Sequence, residues 1–237
     1  MSTKPLVILQ HEDDDPPASI AVSLKRLGVP FEVRRLDLGD PLPGWPHELS
    51  GIIVMGGSMH VHHTKEHSFL LAEKKLIRRI VHEGGPVWGI CLGAQLLAEA
   101  AGGDAFKRRK PEVGWTSIEK VADDPLLHGI SSPFMAFNWH EYSCKLPPTA
   151  HLVARCGEGV QVFRAGGNAW GTQFHPEVDD ALAPHWVRDA AKEHREQGKE
   201  WAEQLQADTD KYLPDYPKFC HKLTENFVLT TGLPRKD

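Results

Sequence analysis

Chemistry concentrates in the segment Val87-Trp88-Gly89-Ile90-Cys91-Leu92-Gly93-Ala94-Gln95. A short apolar run leads into a cysteine and an Ala/Leu-rich stretch leaves it, so Cys91 sits where a strand turns sharply into a helix. Such a turn crowds the positions two before and two after its apex, which accounts for glycine at 89 and 93. Cys91 projects from the strand end with its sulfur at a helix N-terminus, where free N–H groups and the dipole favour a thiolate. The N–H of Leu92 points to where an acyl oxyanion would form. In a shuffled chain of this composition Gly-x-Cys-x-Gly would occur roughly 0.03 times, so chance explains it poorly. The competing explanation is a buried, inert thiol beside close-packed glycines.

A thiol nucleophile needs a base, and the base needs an orienter. Phe174-His175-Pro176-Glu177 supplies both. In an extended segment residues i and i+2 face the same way, so His175 and Glu177 point together while Pro176 fixes the backbone between them. The chain has 14 histidines, most of which need no special role, but this one follows the apolar run Ala169–Phe174. Met55-Gly56-Gly57-Ser58-Met59 closes an earlier run. Strand C-ends line the ligand crevice of a doubly wound sheet, and two glycines there let backbone N–H groups approach an anion. Gly57 is thus the natural second oxyanion donor, with an ordinary turn as the alternative.

Gly56-Gly57-Ser58, Gly89-Ile-Cys-Leu-Gly-Ala-Gln95 and His175-Pro-Glu177 resemble, in order and spacing, the three signatures of class I glutamine amidotransferases. Glu112-Val-Gly-Trp115, Asn138-Trp-His-Glu-Tyr142 and Gln161-Val-Phe-Arg164 extend the resemblance over about residues 5–180. It is strongest to the stand-alone GMP synthase-like group, which includes γ-glutamyl peptidases. The resemblance implies a flavodoxin-like fold, Cys91 as nucleophile, His175 as base and Glu177 as orienter. It implies attack on a glutamine side-chain or other γ-glutamyl amide, a γ-glutamyl thioester, amine release and hydrolysis. By matching position Gly57 and Leu92 form the oxyanion hole, and Gly56, Gln95, Glu141 and Tyr142 border the substrate. No cofactor is implied. The partners are a small-molecule substrate and, in an alternative, a separate synthetase that receives ammonia. A binding or regulatory module with the same fold is the non-enzymatic alternative.

The elements that must position these residues are legible as patterns. Leu6–Leu9, Phe31–Leu36, Gly51–Met55 and Pro86–Ile90 read as strands, and residues 18–27, 66–83 and 92–101 as helices. This alternation predicts a doubly wound, mostly parallel α/β sheet with helices on both faces. Short runs at 113–121, 134–138, 151–155, 160–164 and 169–174 predict a mixed or antiparallel extension of the same sheet. From Asp180 the chain turns helical and charged. Ala190–Gln206 reads as a solvated helical face, and Phe219, Leu223 and Phe227, at i, i+4 and i+8, predict a closing helix. The expected organisation is an amidotransferase-like domain over 1–180 with a C-terminal helical extension over 181–237 packed on it.

Composition sets outer bounds. The chain has 237 residues, 41% hydrophobic and 25% charged, with a formal net charge of −5. That balance argues against disorder and against a basic nucleic-acid footprint over the whole chain, and a second full catalytic domain is not expected in this length. No 18-residue apolar run and no signal-like start are visible, and Cys91, Cys144, Cys156 and Cys220 form no CxxC pair. A cytoplasmic protein with free thiols, away from membranes, is the expectation. Neither a Gly-x-x-x-x-Gly-Lys-[Ser/Thr] loop nor a Gly-x-Gly-x-x-Gly after a strand is present. The run His60-Val-His-His-Thr-Lys-Glu-His67 raises a metal site, but no second ligand set accompanies it, so none is expected. Lys107-Arg-Arg-Lys110 reads as a solvated basic loop.

Overall fold

The structure, a computed structural model, describes residues 4–234. Strands β1 (Leu6–Gln10), β2 (Phe31–Arg35), β3 (Gly51–Val54), β4 (Val87–Ile90) and β9 (Ala169–Thr172) pair in parallel. Strands β5 (Asp104–Lys120), β6 (Phe134–Lys145), β7 (Ala150–Cys156) and β8 (Gly159–Ala165) continue the sheet antiparallel, in the order β2-β1-β3-β4-β9-β8-β7-β5-β6. This is the doubly wound, flavodoxin-like α/β fold with its mixed extension.

The parallel strands β1, β3 and β4 are buried along their whole length, as expected for strands covered on both faces. Their alternating side chains feed two cores. Ile8, Ile53, Trp88 and Ile90 pack with α1 (Ala18–Arg26) and α6 (Tyr216–Thr231). Val7, Leu9, Ile52 and Val54 pack with α2 (Phe69–His82) and α3 (Leu92–Ala100) on the other face. The parallel strands all run toward one edge, so the turns after β1, β3, β4 and β9 meet there.

The C-terminal segment shares the first core. Leu223 and Phe227 of α6 are fully buried, and the Phe227 ring packs against Trp88 and Trp170. The stretch Ala190–Gln206, read as one solvated helical face, is mostly exposed but spans the end of α4 (Ala183–Glu193) and the start of α5 (Lys199–Tyr212), with a break at Gly198, φ 87°. Each buries a stripe: Trp186, Val187 and Ala190 on α4, Leu205 and Thr209 on α5. Lys107–Lys110 is not a loop but part of β5. Pairing to β6 jumps from Lys107↔Tyr142 to Glu112↔His140, so the basic residues fall at a bulge, and Arg109 and Lys110 are exposed there.

Candidate active site

Cys91 ends β4 and caps the N-terminus of α3, in the backbone conformation φ 49°, ψ −103°. A positive φ on a β-carbon-bearing residue is uncommon and is sustained only where the surroundings enforce it. Here they do. The Cys91 N–H donates to the Thr172 carbonyl of β9 at 2.8 Å, and the Gly93 N–H to the Met55 carbonyl at 3.2 Å. A β-carbon on Gly89 would overlap the Gly93 carbonyl, and one on Gly93 the Val54 carbonyl. Both obstacles are backbone, so the turn tolerates only glycine at 89 and 93. The thiol is 6% exposed, and its Sγ lies 3.8 Å from the Trp139 carbonyl.

His175 and Glu177 follow β9 and turn toward Cys91. His175 Nδ1 and Glu177 Oε1 are 2.6 Å apart, with both side chains buried. Burial opposes a charge on His175, but Glu177 and then the Cys91 sulfur outweigh it and hold the imidazole pKa well above its ordinary value. Cys91 faces it as a hydrogen-bond partner. The His175 backbone is held from both sides: its N–H donates to the Phe137 carbonyl at 2.9 Å, and its carbonyl accepts from the Tyr216 hydroxyl at 3.0 Å. The Trp186 indole stands edge-on to the imidazole with ring centres 4.8 Å apart.

The other sequence-predicted residues fall into two groups. Gly56, Gly57 and Leu92 lie with Cys91 and His175: a β-carbon on Gly56 would sit 2.9 Å from His175 Cε1, and one on Gly57 3.2 Å from Leu92 Cδ2. Gln95, on α3, donates to the Tyr142 carbonyl at 3.2 Å, and the Tyr142 ring lies against His60 with centres 3.6 Å apart. Glu141 is not brought to this group. It points outward and pairs with Lys107 at 3.0 Å, both exposed. The intervening His140 turns inward to Glu112 at 2.9 Å.

Four residues near Cys91 and His175 escaped the sequence reading. Trp186 and Tyr216 come from the C-terminal helices, and His11 and Asp15 from the turn after β1, which reads in sequence only as an acidic loop. Asp15 is 4% exposed, and one carboxylate oxygen each of Asp15 and Glu177 and a ring nitrogen of His175 lie within 4.8 Å of one another. Burial first, then the charge of Glu177, raise the Asp15 pKa well above the carboxylate range, and its carboxyl hydrogen-bonds Glu177. The position of Asp15 at a strand C-end was the available signal. Among the described residues this is also the set whose ligand atoms converge; the run His60–His67 does not converge. His60, His62 and His63 instead pack ring against ring, and His62 lies 3.5 Å from Asp104.

A doubly wound sheet with a strained cysteine at a strand–helix turn, facing a carboxylate-held histidine, defines a class of α/β proteins built for chemistry at strand C-ends. The comparisons narrow it: the chain belongs to the glutamine amidotransferase class-I family, whose sequence profile matches residues 17–193. It is 33% identical over 165 residues to the glutamine-hydrolyzing GMP synthase of Aeropyrum pernix, covering 67% of this chain and 30% of that protein. It is 26% identical over 160 residues to a gamma-glutamyl-L-1-hydroxyisopropylamide hydrolase of a Pseudomonas species, covering 62% of this chain and 54% of that one. A glutamine amidotransferase crystal structure from Thermotoga maritima superposes with a TM-score of 0.85 at 25% identity, covering 96% of this chain and 99% of that one. The chain thus spans 30% and 54% of the lengths of these two curated relatives. The matched profile starts after His11 and Asp15 and ends before Tyr216. No helix among the described residues is long and apolar enough to cross a membrane.

Proposed function

We propose that the chain hydrolyses a γ-glutamyl amide through a thioester on Cys91. The observation that carries this is the alignment of a strained Cys91 with a buried His175 held 2.6 Å from Glu177. The Cys91 thiolate attacks the side-chain amide carbon, forming a C–S bond and placing negative charge on the oxygen. The N–H groups of Gly57 and Leu92 receive that oxyanion. The His175 imidazolium gives its proton to the leaving nitrogen, the C–N bond breaks, and the amine departs. His175 then takes a proton from water, whose oxygen attacks the thioester; the C–S bond breaks and the acid leaves. Glu177 keeps the imidazole in its productive tautomer throughout.

By matching position to the family, Gly56, Gln95 and Tyr142 border the substrate, Gln95 at its α-amino-acid end. Glu141, facing outward beside Lys107, contacts only what extends beyond the crevice. The segment from residue 181 works as part of this unit, because it supplies Trp186 and Tyr216 to the surroundings of His175. The similarity to a hydrolase of a γ-glutamyl amide favours action by the chain alone. Matching under a third of a GMP synthase favours the second reading, a glutamine-hydrolysing unit that passes ammonia to a separate synthetase.

One assay separates them: glutamate release by the purified chain from glutamine and from γ-glutamyl dipeptides, with Cys91→Ala as control. Strong dipeptide hydrolysis supports the free-standing hydrolase. Activity that emerges only with a co-purified synthetase supports the subunit. Rates unchanged by Cys91→Ala would overturn both.

A further inference from the structure

A buried pair unused by this mechanism lies directly behind the glycine turn. His11, at the end of β1, and Glu73, on α2, are both fully buried. His11 Nε2 lies 3.0 and 3.2 Å from the two Glu73 oxygens, and Nδ1 lies 2.7 Å from the Gly56 carbonyl. Nδ1 must donate to the Gly56 carbonyl, which can only accept; with Glu73 ionised, Nε2 donates as well and the ring is an imidazolium. Burial opposes that charge, but Glu73 and the Gly56 carbonyl outweigh it and move the His11 pKa up to about 9. The Phe69 ring stacks on the imidazole with centres 5.9 Å apart and fixes its plane.

The consequence lies on the opposite side of one peptide bond. In a trans peptide the carbonyl of residue i and the N–H of residue i+1 point in opposite directions. His11 holds the Gly56 carbonyl toward Glu73, so the Gly57 N–H is turned away from that buried pair. Among the described residues this N–H has no protein acceptor, whereas the next one, of Ser58, donates to Glu12. Two glycines in succession leave the peptide free to rotate unless something fixes it. We propose that His11, anchored by Glu73, is a positioning residue that locks the Gly56–Gly57 peptide with the Gly57 N–H facing the Cys91 crevice. This rests on the thioester mechanism above, in which Gly57 is an oxyanion donor. It adds that a charged pair on the far side of the turn, outside the substrate crevice, sets that donor's direction.

The test compares two reactions of Cys91. Acylation by a γ-glutamyl substrate builds an oxyanion; alkylation by iodoacetamide forms a C–S bond as iodide leaves and builds none. The double variant His11→Phe/Glu73→Leu removes the donor and leaves no unpaired charge behind. Its acylation rate is expected to fall about 100-fold, the cost of losing one oxyanion donor, while alkylation changes less than about 3-fold. His11→Asn/Glu73→Leu places an amide N–H where Nδ1 was, and is expected to recover acylation to within about 10-fold of wild type. If the first double variant does not fold, Glu73→Gln serves instead. It keeps an acceptor for Nε2 but removes the charge, and acylation should drop about 5-fold with alkylation unchanged. Unchanged acylation in the variant tested overturns the proposal, and so does a parallel loss of acylation and alkylation, which would mark a general structural prop. Cys91→Ala run alongside keeps the two ideas apart. If it retains wild-type rates the thioester mechanism itself fails; if it is inactive while the His11 variant acylates normally, only the positioning role fails.

Discussion

The front and the back of the site are built differently. The front, Cys91 with His175 and Glu177, is assembled from two short segments, and its key contact spans two residues of sequence. The back is assembled from distant ones: His11 reaches Gly56 across 45 residues and Glu73 across 62, and Tyr216 reaches His175 across 41. Local geometry supplies the reacting groups, and long-range burial holds them still. Changes at the front should therefore remove chemistry and leave the fold, whereas changes at the back should cost stability and impair chemistry only through position.

The largest separation is expected for Cys91→Ala. Hydrolysis should fall at least about 10⁴-fold, as for loss of other nucleophiles, with thermal unfolding close to wild type. A change in unfolding temperature as large as that of a back-side variant would break the contrast. Glu177→Gln comes next. A carboxamide can offer His175 an N–H and stabilise the wrong tautomer, so kcat should drop about 10³–10⁴-fold in steady-state assays, with a smaller change in KM.

The back yields two smaller effects, read in stability. The His11 pKa is raised from 6.5 to about 9, so between those values the folded chain keeps a proton that the unfolded chain releases. The pair's stabilisation is complete below pH 6.5 and is lost as pH rises through about 9, a change of about 3 kcal/mol. Urea unfolding of wild type and of His11→Phe/Glu73→Leu over that range should show a steeper fall in wild type, because His175, whose pKa is also raised, contributes its own slope to both chains. Tyr216→Phe removes a hydroxyl that accepts from the Phe137 N–H at 3.1 Å and donates to the His175 carbonyl at 3.0 Å. It should cost about 1–3 kcal/mol of unfolding free energy, with kcat reduced only several-fold.

The same division explains what was legible in the sequence. Gly89, Gly93 and the His-Pro-Glu run announce themselves because backbone crowding and i, i+2 spacing are local. The parallel strands are legible because double-sided burial writes continuous apolar runs. His11 and Asp15 are invisible: a histidine and one of three consecutive aspartates read as a polar turn until the fold closes Gly56 over them. The basic run 107–110 was misplaced because a bulge in a long strand exposes residues as a loop does. The stretch Ala190–Gln206 is solvated over most of its length, as its charges indicate; what they did not show is the break at Gly198 and the two buried residues Ala190 and Leu205.

The central claim is a covalent γ-glutamyl intermediate on one particular sulfur. Rapid acid quench during turnover of a γ-glutamyl substrate, followed by peptide mass spectrometry, tests it most directly. The expected result is a γ-glutamyl adduct on the peptide carrying Cys91, absent from those carrying Cys144, Cys156 and Cys220, and removed by hydroxylamine as a thioester should be. Turnover that continues with no adduct on Cys91, or an adduct confined to another cysteine, would contradict it.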